Sequence, residues 1–93
     1  MKIGDLEKKR VLILGFGREG RDTFRFLRKM FPKKTLGIAD RLKIKDLRFK
    51  KVRLHLGENY LKALKNYDII IKSPGIPFKI LRMSDIRRVT SQT

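Results

Sequence analysis

Arg10-Val11-Leu12-Ile13-Leu14-Gly15-Phe16-Gly17-Arg18-Glu19-Gly20 is the stretch that decides the fold. Its aliphatic run stops at a glycine, as a strand buried on both faces of a parallel sheet does. From Arg18 to Phe31 the apolar period becomes helical, and Pro32 ends it. Phe24, Leu27 and Phe31 share one face, widened by Phe26 and Met30, while Arg18, Arg21, Arg25 and Arg28 share the opposite one. Between strand and helix, Gly15-Phe16-Gly17-Arg18-Glu19-Gly20 fits GxGxxG. Gly15 permits a tight turn, Gly17 lets a diphosphate approach the backbone, and Gly20 lets the helix pack on the sheet. The first N–H groups of the helix would then hold phosphate oxygens.

Working outward, Thr35-Leu36-Gly37-Ile38-Ala39 reads as a second strand ending at Asp40. Asp40 lies 20 residues beyond Gly20, where such folds place a nucleoside-recognising carboxylate. Residues 41–50 read as a short helix or an irregular basic connection. Val52-Arg53-Leu54-His55-Leu56 alternates like a strand, stopped by Gly57. Tyr60, Leu61 and Leu64 mark a short helix over residues 58–66, with Tyr60 and Tyr67 covering the sheet. Asp68-Ile69-Ile70-Ile71-Lys72 is a fourth strand, and Ser73-Pro74-Gly75-Ile76-Pro77 a stiff loop at its carboxyl edge, beside the first turn. A helical turn around residues 79–85 and a marginal strand at 88–91 follow. Strands alternating with helices predict an α/β fold: a doubly wound, mainly parallel sheet of about four to five strands with helices on both faces.

The 93 residues make one domain the expected count. Cysteine is absent, which excludes disulfides, zinc–cysteine sites and thiol catalysis. The apolar runs fall far short of the ~20 residues that span a bilayer, and the amino terminus lacks a signal-peptide core, so a cytoplasmic location without a membrane is expected. The formal net charge is +16. That points to an anionic partner, yet no zinc-finger, RNP or KH pattern accompanies it, and nucleic acid is disfavoured. His55, the only histidine, has no partner acid or nucleophile and reads as structural. Ser73 has no base in sight, so a nucleophilic role is not assigned. Of the helix arginines, only Arg18 is placed near the glycine motif.

Three segments together resemble the N-terminal domain of the Mur ligases of peptidoglycan synthesis. They are residues 9–20, Ile38-Ala39-Asp40, and the run from Asp68 through Ser73-Pro74-Gly75-Ile76-Pro77. A strand running into SPGI is characteristic of the glutamate-adding branch, and Val89-Thr90-Ser91-Gln92-Thr93 is similar to the stretch that leads out of its first domain. The resemblance implies a Rossmann-like domain that binds the UDP part of UDP-N-acetylmuramoyl-L-alanine and no redox cofactor. Gly15, Phe16, Gly17, Arg18, Glu19 and Gly20 would meet the diphosphate, with the backbone of Arg18 and Glu19 nearest. Asp40 and Arg41 would face the uracil, and Ser73, Pro74, Gly75 and Ile76 would form the opposite wall.

In that family ATP and Mg²⁺ bind a central domain carrying a P-loop, and a C-terminal domain helps hold the amino acid. The glycine turn here lacks the Lys-Ser/Thr of a P-loop, so neither cofactor is expected on this domain and no catalytic residue is assigned. Its partners would be the UDP-linked substrate and the central and C-terminal ligase domains. Two other readings remain at this stage. One is an NAD-binding regulatory or oxidoreductase module, with Asp40 accepting from a ribose diol. The other is a basic nucleic-acid-binding domain whose affinity falls steeply with salt.

Overall fold

A computed structural model describes residues 3–43, 50–73 and 89–91. Helix α1 (Ile3–Lys8) precedes strand β1 (Val11–Leu14), helix α2 (Arg18–Met30) and strand β2 (Leu36–Asp40). Strand β3 (Val52–Leu56), a 3₁₀ helix (Tyr60–Asn66), strand β4 (Ile69–Lys72) and strand β5 (Val89–Ser91) follow. The sheet order is β3-β2-β1-β4-β5, and every described ladder is parallel. This is the doubly wound, Rossmann-like arrangement. The order reverses at β1, so β1 and β4 flank the switch point where such sheets open a crevice.

The aliphatic run of β1 is buried on both sides, as its composition predicts. Val11 and Ile13 face α2, packing with Leu6, Phe24, Leu27, Leu36, Ile38, Ile69 and Ile71. Leu12 and Leu14 face the 3₁₀ helix, packing with Ala39, Ala63, Leu64, Tyr67 and Ile70. Each such side chain contributes roughly 1.5–3 kcal/mol by leaving water, so these two layers hold the sheet together. At the start of β1 and β4, the Arg10 guanidinium meets Asp68 at 3.2 Å, and the Arg10 N–H donates to the same carboxylate at 2.9 Å. That pairing holds the Asp68 carboxyl below its usual range, mainly through the side-chain hydrogen bond.

Several expectations are corrected. The helix α1 was not anticipated, although it brings Leu6 into the core. Phe26 and Met30 do not widen the buried face of α2; they are 53% and 42% exposed. At 100° per residue Phe26 points away from Gly20, Phe24 and Leu27, the residues that α2 buries, and Met30 stands at the edge of that face in the last turn. The expected short helix is present as a 3₁₀ helix, beginning at Tyr60 rather than at residue 58, and β4 begins at Ile69 rather than at Asp68. The expected turns at 79–85 and most of 41–50 lie outside the described residues.

His55 is structural, as the sequence suggests. Its Nε2 lies 2.7 Å from the Tyr67 hydroxyl, whose ring crosses β2 in the space left by Gly37. Burial, then the nearby Arg53, lowers the His55 pKa from 6.5, so the folded chain favours neutral imidazole. The stability this supplies is complete above the unfolded pKa and is lost as pH falls through the lower folded value. Denaturant titrations across that acidic range should show a decline in the parent that is smaller in His55→Gln. An identical pH dependence in both chains would remove His55 as its source.

Candidate functional site

The three glycines of the first turn have distinct physical roles. Gly15 sits at φ +93°, in the left-handed region, and its N–H donates to Ala39 O at 2.7 Å. Gly20 lies against the Gly15 carbonyl, where a Cβ would overlap backbone. Gly17, by contrast, has no atom within 4 Å of where a Cβ would stand. It is the N-cap of α2, and its carbonyl accepts the Arg21 N–H at 3.0 Å. Two glycines therefore close the turn, and one leaves its outer side open.

Asp40 braces this turn from the end of β2. Its Oδ2 accepts the Phe16 N–H at 2.7 Å and its Oδ1 accepts the Leu42 N–H at 2.8 Å. The Asp40 carbonyl accepts the Gly57 N–H at 3.0 Å. One carboxylate thus fixes the glycine turn to the loop after β2, while its carbonyl ties in the end of β3. On the other side of β1, the Ser73 N–H donates to Leu14 O at 2.9 Å, drawing the exit of β4 against the turn. Ser73 is buried, as is Lys72, whose Nζ donates to Ser73 O at 3.1 Å.

A surface depression of about 580 Å³ opens beside the turn, lined by Phe16, Gly17, Arg18, Arg21, Asp22, Arg25, Asp40 and Leu42. Of the residues proposed from sequence, Phe16, Gly17, Arg18 and Asp40 are brought together there. Gly15 and Gly20 lie beneath, as packing, and Ser73 stands at the neighbouring strand end. Glu19 and Arg41 are exposed and do not line the depression, whose lining includes Leu42. Pro74, Gly75 and Ile76 lie outside the described residues.

Arg21, Asp22 and Arg25 were not placed here by the sequence reading, which brought only Arg18 close. Spacing could have found them, since residues three, four and seven positions past Arg18 share its side of a helix. The Arg21 guanidinium lies 4.8 Å from the Phe16 ring centroid, and Arg25 pairs with Asp22 at 3.1 Å. The depression is thus an open hollow in which three arginines outnumber two carboxylates, Asp22 and Asp40. Among the described residues, no group of three His, Asp or Glu could hold a metal ion. No described helix is long and apolar enough to cross a membrane.

Comparison with known proteins gives a consistent answer. The chain is 35% identical over 83 residues to UDP-N-acetylmuramoylalanine–D-glutamate ligase of Exiguobacterium sibiricum, covering 86% of this chain and 18% of that protein. It is 31% identical over 77 residues to the same-named ligase of Clostridium acetobutylicum, covering 76% and 17%. It is 34% identical over 79 residues to UDP-N-acetylmuramoyl-L-alanine–L-glutamate ligase of Xanthomonas oryzae pv. oryzae, covering 82% and 17%. No protein-family model matches the chain, and no solved structure gives a significant match. The chain spans less than a fifth of the length of these curated relatives, and the match falls in their N-terminal part. Sequence and fold agree: the chain belongs to the Mur ligase family and corresponds to the N-terminal region of its glutamate-adding members.

Proposed function

We propose that this chain is a substrate-docking domain that holds the uridine diphosphate end of UDP-N-acetylmuramoyl-L-alanine. ATP, Mg²⁺ and amide-bond formation are assigned to domains of the ligase outside the 93 residues, because the glycine turn carries no Lys-Ser/Thr to meet ATP phosphates. The observation that carries the reading is the open space over Gly17, set at the head of α2 and beside the arginine-lined depression. The first turn of a helix leaves N–H groups without intrahelical acceptors, and its dipole favours an anion there. Phosphate oxygens are suited to both.

Asp40 is held in place for a ligand contact: each of its oxygens already accepts a backbone N–H, and about two of its four acceptor sites remain for a ligand donor. In this reading Asp40 meets a polar N–H of the uracil, and Ser73 with the residues after it bounds the opposite side.

Titrating the chain with UDP should shift the amide resonances of residues 16–20 and 40–42. Gly17→Ala should weaken UDP about tenfold, equivalent to ~1.4 kcal/mol, because its methyl occupies the space the diphosphate needs. Its stability should fall by less than about 1 kcal/mol, the difference between glycine and alanine as an N-cap. Tight NADH binding with no response to UDP would transfer the site to a dinucleotide.

A further inference from the structure

We propose that Arg21 is a specificity-determining residue of this site: a pre-placed cation that favours ligands carrying a diphosphate over uncharged nucleosides. The inference rests on the docking role above and adds a residue to it. Arg21 lies one position past the glycine motif, among its Phe16, Gly17 and Asp40 neighbours around the same depression. Three observations single it out from the other arginines there.

The first is support. Phe16 is only 3% exposed, and its ring is held edge-on to Phe24 with centroids 6.0 Å apart. Arg21 rests on that fixed ring, its guanidinium carbon 4.8 Å from the centroid. An arginine over an aromatic face keeps its charge while losing some freedom, so less entropy remains to be lost when an anion arrives. The second is neutralisation. Arg25 already faces Asp22 at 3.1 Å, which reduces the charge it can offer. The third is position. The Arg21 N–H closes the first helical bond onto Gly17 O, so its backbone is fixed to the residue over which the space is open. Arg18 lines the hollow too, but no described ring or carboxylate holds its side chain in place.

The chemistry that fits is a ligand with a pair of adjacent phosphates. A guanidinium donates to two oxygens in one plane, and it discriminates by charge against a ligand with none. The test measures UDP, uridine and inorganic pyrophosphate binding to the whole chain by calorimetry. It compares the parent with Arg21→Met, Arg21→Lys and the control Lys29→Gln, which removes an exposed charge of α2 away from the depression. Methionine preserves apolar cover on Phe16, so the fold should survive, and far-ultraviolet circular dichroism checks this.

UDP and pyrophosphate should each weaken about tenfold or more in Arg21→Met, as loss of a charge-assisted hydrogen bond implies. Uridine should change less than about twofold, Lys29→Gln should leave all three unchanged, and Arg21→Lys should recover only part of the loss. UDP bound equally well by the parent and Arg21→Met would overturn the role of Arg21 while leaving the docking function intact. Arg21-dependent binding of pyrophosphate without any UDP binding would keep Arg21 and overturn the docking function. An equal loss in Lys29→Gln would reduce the effect to overall charge and remove the proposal.

Discussion

Replacing Gly20 with alanine is expected to destabilise the chain by about 2 kcal/mol or more, within the range for overpacked interiors. The added methyl meets the carbonyl oxygen and carbon of Gly15. Those are backbone atoms, held by the neighbouring Gly15 N–H to Ala39 O bond and by β1 itself, so no side chain can rotate aside. Alanine gains roughly 1 kcal/mol of helix propensity over glycine, which offsets part of the loss. The overlap wins, because relief requires α2 to rise from a sheet on which Phe24 and Leu27 are fully packed. In a domain this small, each kcal/mol moves the melting temperature by roughly 4–8 °C. Thermal and urea unfolding of Gly20→Ala beside Gly17→Ala supplies the test. A Gly20→Ala chain as stable as Gly17→Ala would mean that helix and turn do not meet as described.

The same contrast separates packing from binding within one motif. Gly20→Ala should lose ligand because the fold weakens, and its loss should follow the unfolded fraction. Gly17→Ala should lose ligand while folded. A pattern match assigns three glycines a common importance, whereas the space around each one divides them.

That division marks how far the sequence could be read. The β1 run, the stop at Gly15 and the change of period after it together point to a parallel sheet, since a short aliphatic run ended by glycine suits a strand covered on both faces. Asp40 was found by its distance from the motif. Its function as a brace was not, because a hydrogen bond from Phe16 N–H depends on β2 lying beside β1, which no local pattern encodes. Leu42, which no spacing singles out, borders the depression beside Asp40 because the chain bends after β2. Among the described side chains of helix α1, Leu6 is the buried one, and six residues are too few to display a period. The α2 arginines share one face by period, with Arg18 nearest the motif, yet they divide between pocket, ion pair and framework.

Arg28 is the framework arginine, and its replacement is the second large effect expected. The helical period places it on the face opposite Phe24 and Leu27; the structure folds it back over the end of its own helix. Its Nη1 donates to Lys34 O at 2.6 Å, with Phe31 O and Pro32 O at 3.2 and 3.3 Å. Its Nη2 donates to Lys50 O at 3.2 Å and Lys51 O at 3.1 Å, and its guanidinium carbon lies 5.4 Å from the Phe24 centroid. One planar cation therefore gathers the carbonyls after α2 and those before β3, where the final turn of a helix favours positive charge. Lys51 O also accepts the Leu36 N–H that opens β2, so the clamp bears on the register of β2 with β3. Hydrogen bonds to a charged group contribute about 1.5–3 kcal/mol, and because several of these carbonyls also reach water, the whole set is expected near that figure rather than a multiple of it. Arg28→Met should lose about that much in urea unfolding, with faster amide exchange at Leu36. Arg28→Lys keeps the charge but has one ammonium for two separated groups of carbonyls, so it should recover less than half. Arg25→Met, which removes only an exposed pair with Asp22, should change stability by less than about 1 kcal/mol. Full recovery by lysine would reduce Arg28 to a charge at a helix end, whereas partial recovery requires the fork that joins the starts of β2 and β3.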